Sequence, residues 1–254
     1  MPGLVGLAGR NVLVTGAASG IARAIALRLG EEGAVVGAVD LDGAGAARTV
    51  SEITRAGGRA HAYAADIADG EAVERAVAAF ERDAGAIGGL VNGAGWDVAA
   101  SFVDTKPADW RRIIDVNLYG PLHVTHAVLR RMVAAGAGRI VSLASDAGRV
   151  GSTGESVYAA CKGGIVAFSK SIAREHAQRG ISVNVVSPGP TDTPLFASFD
   201  PSGKLAAALE RAIPMRRLAR PSDYPGLVAF LLSDEAAFIT GQTISVSGGL
   251  TMHG

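Results

Sequence analysis

Seven short β-rich runs recur along the chain with helix-length segments between most of them, and this alternation constrains the fold more than any other feature. The runs are NVLVT 11–15, AVVGAVD 34–40, RAHAYAAD 59–66, GGLVNGAG 88–95, GRIVSLAS 138–145, ISVNVVSPG 181–189 and QTISVSGG 242–249. Helical patterning fills 20–32, 43–57, 69–84, 107–136 and 156–179. A strand, a helix and another strand in repeated succession form crossovers between parallel strands, and the helices must then cover both faces of the sheet. The nearly unbroken apolar character of the strands points the same way. The expectation is an α/β, doubly wound, seven-stranded parallel sheet.

The chain has 254 residues, 48% of them apolar, which suffices for one full core and a single domain over 1–254. One stretch breaks the rhythm. PTDTPLFASFDPSGK, 190–204, follows a strand end and mixes prolines, phenylalanines and polar turn residues, so a substrate lid over 190–215 is expected. Lys plus Arg and Asp plus Glu both number 24, leaving no net field to recruit nucleic acid or an anionic membrane. Small molecules are the expected partners. The lone Cys161 excludes an intrachain disulfide, no secretory leader is legible, and no apolar run reaches the ~18 residues of a membrane span. These point to a cytoplasmic protein.

The first run leads into TGAASGIARAIALRLG, where Gly16 and Gly20 permit a tight turn and close approach to a pyrophosphate at a helix N-terminus, with Ser19 and Ile21 beside it. The lysine of a nucleotide triphosphatase loop is absent. Asp40 ends the second strand, where a carboxylate can bind ribose hydroxyls and repel a 2′-phosphate, so NAD is expected over NADP. The alternative for Asp40 is an ordinary solvated turn residue. Asp66 and Ile67 close the third strand where an adenine could lie, and Asn92, Gly93, Ala94 and Gly95 close the fourth.

In SVYAACKGG, Tyr158 and Lys162 fall four apart on one helix face, where a cation could favour the phenolate of a tyrosine otherwise near pKa ~10. Such a pair is also a common surface arrangement. Small neighbours, Ala159, Ala160 and Cys161, suit tight helix packing. His123 and His126 lack companions for a metal, and none is expected.

Taken in order, T-G-x-x-x-G-x-A at 15–22, Asp66, NGAG at 92–95, Asn117, Ser145, Tyr158, Lys162 and SPGPTDTP at 187–194 resemble the short-chain dehydrogenase/reductase family over essentially the whole chain. The resemblance implies a Rossmann-like domain, a nicotinamide cofactor, a homotetramer, and a catalytic set of Asn117, Ser145, Tyr158 and Lys162. Tyr158 would move the proton of an alcohol as hydride is exchanged with the nicotinamide, Ser145 would hold the substrate oxygen, and Asn117 would relay protons through a water. Lys162 would also reach the nicotinamide ribose, and Pro188, Gly189, Thr191 and Thr193 would lie against the nicotinamide. Two departures stand out: members usually carry glycine at the position of Ala22 and asparagine at that of Gly93. The second is expected to cost a hydrogen bond between strands, and so rigidity.

NGAGWD, SLASDAGRVGSTGESVYAACKGG and ITGQTISVSGGLTMHG are similar to NAD-dependent members that oxidise cyclic β-hydroxyacyl-CoA substrates. Trp96, Asp97, Asp146, Arg149 and Glu155 are therefore candidate substrate residues. Arg149, Lys204, Arg216, Arg217 and Arg220 are candidate partners for CoA phosphates. The rival readings are a 3-oxoacyl-(acyl-carrier-protein) reductase, a dehydrogenase of cyclic alcohols without CoA, and a non-catalytic NAD-binding protein.

Overall fold

The computed structural model describes residues 3–252. Its seven strands are β1 (Asn11–Thr15), β2 (Val35–Asp40), β3 (Arg59–Ala64), β4 (Gly89–Asn92), β5 (Gly138–Leu143), β6 (Ile181–Pro188) and β7 (Thr243–Val246). They form one sheet in the order β3-β2-β1-β4-β5-β6-β7, every pair parallel. All seven coincide with the runs read from the sequence.

Alternation along each strand divides the core between the two faces. Val12 and Val14 of β1 point to one side, packing with Ile25 and Leu29 of α1 (Gly20–Glu31) and Val228 and Leu232 of a late helix. Leu13 points to the other, with Phe80 of α3 (Gly70–Ala84) and Val124, Val128 and Met132 of α5 (Gly120–Ala135). Each fully buried side chain of this kind contributes about 1.5–3 kcal/mol by leaving water. Gly37 of β2 lacks a side chain where one is excluded, since a Cβ there would lie 2.9 Å from both Leu13 and Phe80. The connection after β2 is α2 (Gly43–Arg55), capped by Asp42, whose carboxylate accepts from the Gly45 N–H at 2.9 Å.

The helix expected over 107–136 is interrupted. It comprises α4 (Pro107–Ile114), one π turn (Asp115–Tyr119) and α5. Pro121 explains the break: it has no N–H to give to the carbonyl of Asn117, its partner in a regular helix, so the ladder shifts register ahead of it. Beyond β5 come α6 (Ala147–Val150) and the long α7 (Ser156–His176). The stretch after β6 holds two helices the sequence reading passed over, α8 (Pro194–Phe199) and α9 (Lys204–Ala212), followed by α10 (Pro225–Leu232). Among the described residues no helix is long and apolar enough to cross a membrane.

Candidate active site

Strand order reverses between β1 and β4, and in an open α/β sheet the crevice beyond the strand ends at such a reversal is where ligands bind. Here a cavity of about 920 Å³ opens, running from Asp40 at the end of β2 to Phe199 and Leu209 over the far end.

The nucleotide-like end is built on glycines in the left-handed region, where other side chains are strained. Gly16 has φ +76° and a Cβ on it would fall 2.7 Å from Ala94 Cα, so the β1–α1 turn lies directly against the loop after β4. Gly20, with φ +58°, starts α1 and faces Thr193 across the cavity. Asp40 lines the cavity while its carboxylate accepts backbone N–H groups of Ala18 and Asp42, each at 2.9 Å, which fixes its position. Ser19, Ile21, Asp66, Ile67, Gly93, Ala94 and Gly95 also line this half. Asn92 does not. Its amide is buried within the sheet, donating to Thr125 at 2.9 Å and Ser142 at 3.1 Å.

At the other half, Ser145 follows β5, and Tyr158 and Lys162 share the cavity-facing side of α7. α6 and α7 touch through their backbones at Gly148 and Gly163, and Ser145 and Tyr158 both open into the cavity there. Lys162 is buried, its Nζ donating to the Leu143 carbonyl at 3.0 Å and lying 5.4 Å from the centre of the Tyr158 ring. Asn117 is wholly buried outside the cavity. Its Nδ2 donates to Trp96 O at 2.5 Å and Ile113 O at 2.9 Å, so its side chain clamps the loop that carries Gly95 and Trp96. A Cβ on Gly95 would lie 3.1 Å from Asn117 Oδ1 and 3.6 Å from Lys162 Nζ, placing the three together.

The electrostatics depart from the sequence reading. Burial raises the Tyr158 phenol above its ordinary range, Glu155 and Asp97 raise it further, and the Ser145 hydroxyl opposes them. Lys162 is not among the groups that lower it. Burial pushes the lysine itself down to about 8. The protein's own groups therefore keep the phenol protonated, because desolvation of a charged tyrosinate outweighs attraction to a partly neutral amine.

The family model described as enoyl-(acyl carrier protein) reductase matches residues 16–251. A 3-oxoacyl-(acyl-carrier-protein) reductase of Vibrio harveyi is 40% identical over 97% of this chain and 99% of its own. A (3R)-3-hydroxyacyl-CoA dehydrogenase of Rattus norvegicus is 38% identical over 94% and 95% respectively. The chain belongs to the short-chain dehydrogenase/reductase family. It is an oxidoreductase. Solved structures of the family agree in fold: a Brucella melitensis 3-oxoacyl-(acyl-carrier-protein) reductase with NAD superposes with a TM-score of 0.89 at 38% identity, covering 97% of this chain and 92% of that one. A Beutenbergia cavernae protein described as an NAD(P)-dependent gluconate 5-dehydrogenase, holding NADP, gives 0.92 at 36%, covering 96% and 97%.

The remaining sequence-derived candidates of this short-chain dehydrogenase/reductase separate into three groups. Trp96, Asp146, Glu155, Pro188, Gly189, Thr191 and Thr193 line the cavity, although the Asp146 carboxylate already accepts from Ser245 Oγ at 2.5 Å and Thr193 caps α8 by accepting from Phe196 N. Asp97 is buried behind the wall. Arg149, Lys204, Arg216, Arg217 and Arg220 do not line it: Arg149 donates to Ser245 and Thr243, and Arg217 pairs with Asp223. The charged side chain the sequence reading missed is Arg112 of α4, whose guanidinium lies 4.0 Å over the Trp96 ring at the cavity wall. Its neighbour Arg111 is equally basic, and only the phase of α4 tells which of the two faces inward.

Proposed function

We propose that this enzyme interconverts a secondary alcohol and a ketone with NAD, and that its substrate is a β-hydroxyacyl or β-ketoacyl thioester. The carrying observation is that Ser145, Tyr158 and Lys162 open into the same cavity as Gly16 and Asp40. The glycine cradle that any Cβ at Gly16 would fill, and the fixed carboxylate of Asp40, fit an adenine dinucleotide without a 2′-phosphate. No cation lines that end, since among the described residues the only lysine or arginine side chains at the cavity are Arg112 and Lys162. When bound, the cofactor would supply the hydride acceptor or donor and, oxidised, a positive charge near the phenol.

The chain's own residues handle the oxygen and its proton. Ser145 donates a hydrogen bond to the substrate oxygen and orients it towards Tyr158. In ketone reduction Tyr158 donates its proton to the forming alkoxide; in oxidation it must first lose that proton and then accept one from the carbinol. Because the apoprotein holds the phenol protonated, it is poised as the proton donor that ketone reduction needs. Asn117 positions the Trp96 loop, and Pro121 leaves its carbonyl without a regular helical donor, available to a water beside Lys162. Residues 190–215, with α8 and α9, act as the lid, presenting Leu195, Phe196, Phe199, Leu205 and Leu209 to an acyl group.

Relatives that act on acyl-carrier-protein and CoA thioesters support the substrate class. We assign a homotetramer on family grounds, which light scattering tests. The deciding measurement compares NAD and NADP rates across hydroxyacyl thioesters, the corresponding free alcohols and gluconate. Thioester turnover with NAD that disappears in Tyr158→Phe supports the reading; full turnover in that variant ends it.

A further inference from the structure

Two carboxyls, Asp97 and Glu155, lie close enough to Tyr158 for both to push its phenol up. Asp97 lies in the loop after β4 and is 4% exposed, yet neither of its oxygens has a hydrogen-bond partner. Glu155 lies at the N-terminus of α7, faces Asp97, and lines the cavity. The two loops are tied by the Ala100 N–H donating to the Gly154 carbonyl at 2.9 Å, so the juxtaposition is set by backbone. Glu155 does not cap its own helix. A buried aspartate without a partner is costly to ionise, so burial above all, with Glu155 adding to it, pushes the Asp97 carboxyl up.

Position matters as much as charge. Glu155 precedes Tyr158 by three residues, at the N-cap position of α7, and both line the cavity. A carbinol seated at Ser145 and Tyr158 shares one cavity wall with Glu155. The nearest cation, Lys162, is committed to the Leu143 carbonyl and faces Asp97, while Arg112 lies on the α4 wall over Trp96.

We propose that Glu155, backed by Asp97, is a charge filter that admits a neutral acyl group next to the reacting carbinol and excludes a free carboxylate there. The inference rests on the alcohol–ketone reading above and deepens it: the substrate is an ester, amide or thioester of a β-hydroxy acid, never the acid itself. A carboxylate meets like charge there and is repelled. A thioester carbonyl carries no charge and meets no such repulsion.

The test measures kcat and KM with NAD for two matched pairs: 2-hydroxycyclohexanecarboxylate and 3-hydroxybutyrate, each against its N-acetylcysteamine thioester. Wild type, Glu155→Gln, Glu155→Asp and Asp97→Asn are compared, with NADH binding by fluorescence as the check on folding. The expected result is a strong wild-type preference for thioesters that falls at least about tenfold in Glu155→Gln, through a lower KM for the free acids, and returns in Glu155→Asp. Asp97→Asn should move the ratio less than Glu155→Gln does. An unchanged ratio in Glu155→Gln, or a wild type that uses acid and thioester equally, overturns the filter while leaving alcohol oxidation intact. Failure of the wild type to turn over any alcohol, with NADH still bound, overturns both readings.

Discussion

Ala22 and Gly93 face each other across the contact between α1 and the end of β4: a Cβ on Gly93 would lie 2.7 Å from the Cβ of Ala22 and 2.8 Å from the Thr15 carbonyl. The two positions where the chain departs from its family's pattern are therefore one feature, a methyl gained on one side and a side chain surrendered on the other. The expected loss of strand tying does not follow, because Asn92 joins the strand to Thr125 and Ser142. Gly93→Ala should destabilise the fold by about 1–3 kcal/mol, and adding Ala22→Gly should recover part of that loss. Urea unfolding of both singles and the double measures the coupling; strict additivity would refute the contact.

Asp97 makes stability depend on pH in a stated direction. Burial, then Glu155, push its carboxyl up to about 6 from 3.8, with the Lys162 charge opposing them. A raised carboxyl stabilises the folded state fully below 3.8, and that contribution is lost as pH rises through about 6. Lys162, pushed down to about 8, weighs against the fold at all lower pH. Relative to wild type, Asp97→Asn should gain about 1.4 kcal/mol between pH 5 and pH 7.5, the window that holds the upper unit of the shift from 3.8 to about 6. Chemical denaturation at the two pH values decides, and an equal difference at both counts against a strained carboxylate.

What was legible in the sequence was whatever local chemistry fixes. β1 and β2 announce themselves as apolar runs, Gly16 and Gly20 as a tight turn that favours glycine, and Tyr158 with Lys162 as an i, i+4 pair. What escaped depended on tertiary phase and competition for partners. Arg149 was read as a pocket cation but is held by β7, and Arg112 was invisible because only the rotation of α4 separates it from Arg111. The direction of the Tyr158 shift was misjudged for the same reason: spacing reveals that a lysine is near, but not that burial of both groups dominates their attraction.

Arg112 should matter to the length of the substrate rather than to its chemistry. It lines the outer wall over Trp96 and forms no ion pair with a carboxylate among the described residues, which suits it to a phosphate on a long thioester arm. Arg112→Ala should raise KM for a CoA thioester about threefold to tenfold, with less effect at high salt. The N-acetylcysteamine thioester, which carries no phosphate, should keep its KM. Equal changes for the two substrates would show that Arg112 merely supports Trp96.

Asp40 offers the most direct handle on cofactor choice. Its carboxylate is fixed by the Ala18 and Asp42 N–H groups at the end of β2, and no lysine or arginine lines that end of the cavity. A 2′-phosphate brought there would meet a carboxylate of like charge with no compensating cation. Asp40→Asn retains an oxygen that can accept one of the two backbone bonds and removes the charge, so the turn should survive. The ratio of kcat/KM for NADP to that for NAD should rise by about tenfold or more, most of it through a lower KM for NADP, since the repulsion acts on binding and not on the reacting carbon. A companion change that places an arginine at Leu41, next to Asp40 and itself on the cavity wall, should raise the ratio further by giving the phosphate a bidentate partner. Should Asp40→Asn lower NAD use without improving NADP, the carboxylate would be holding the turn rather than choosing the cofactor.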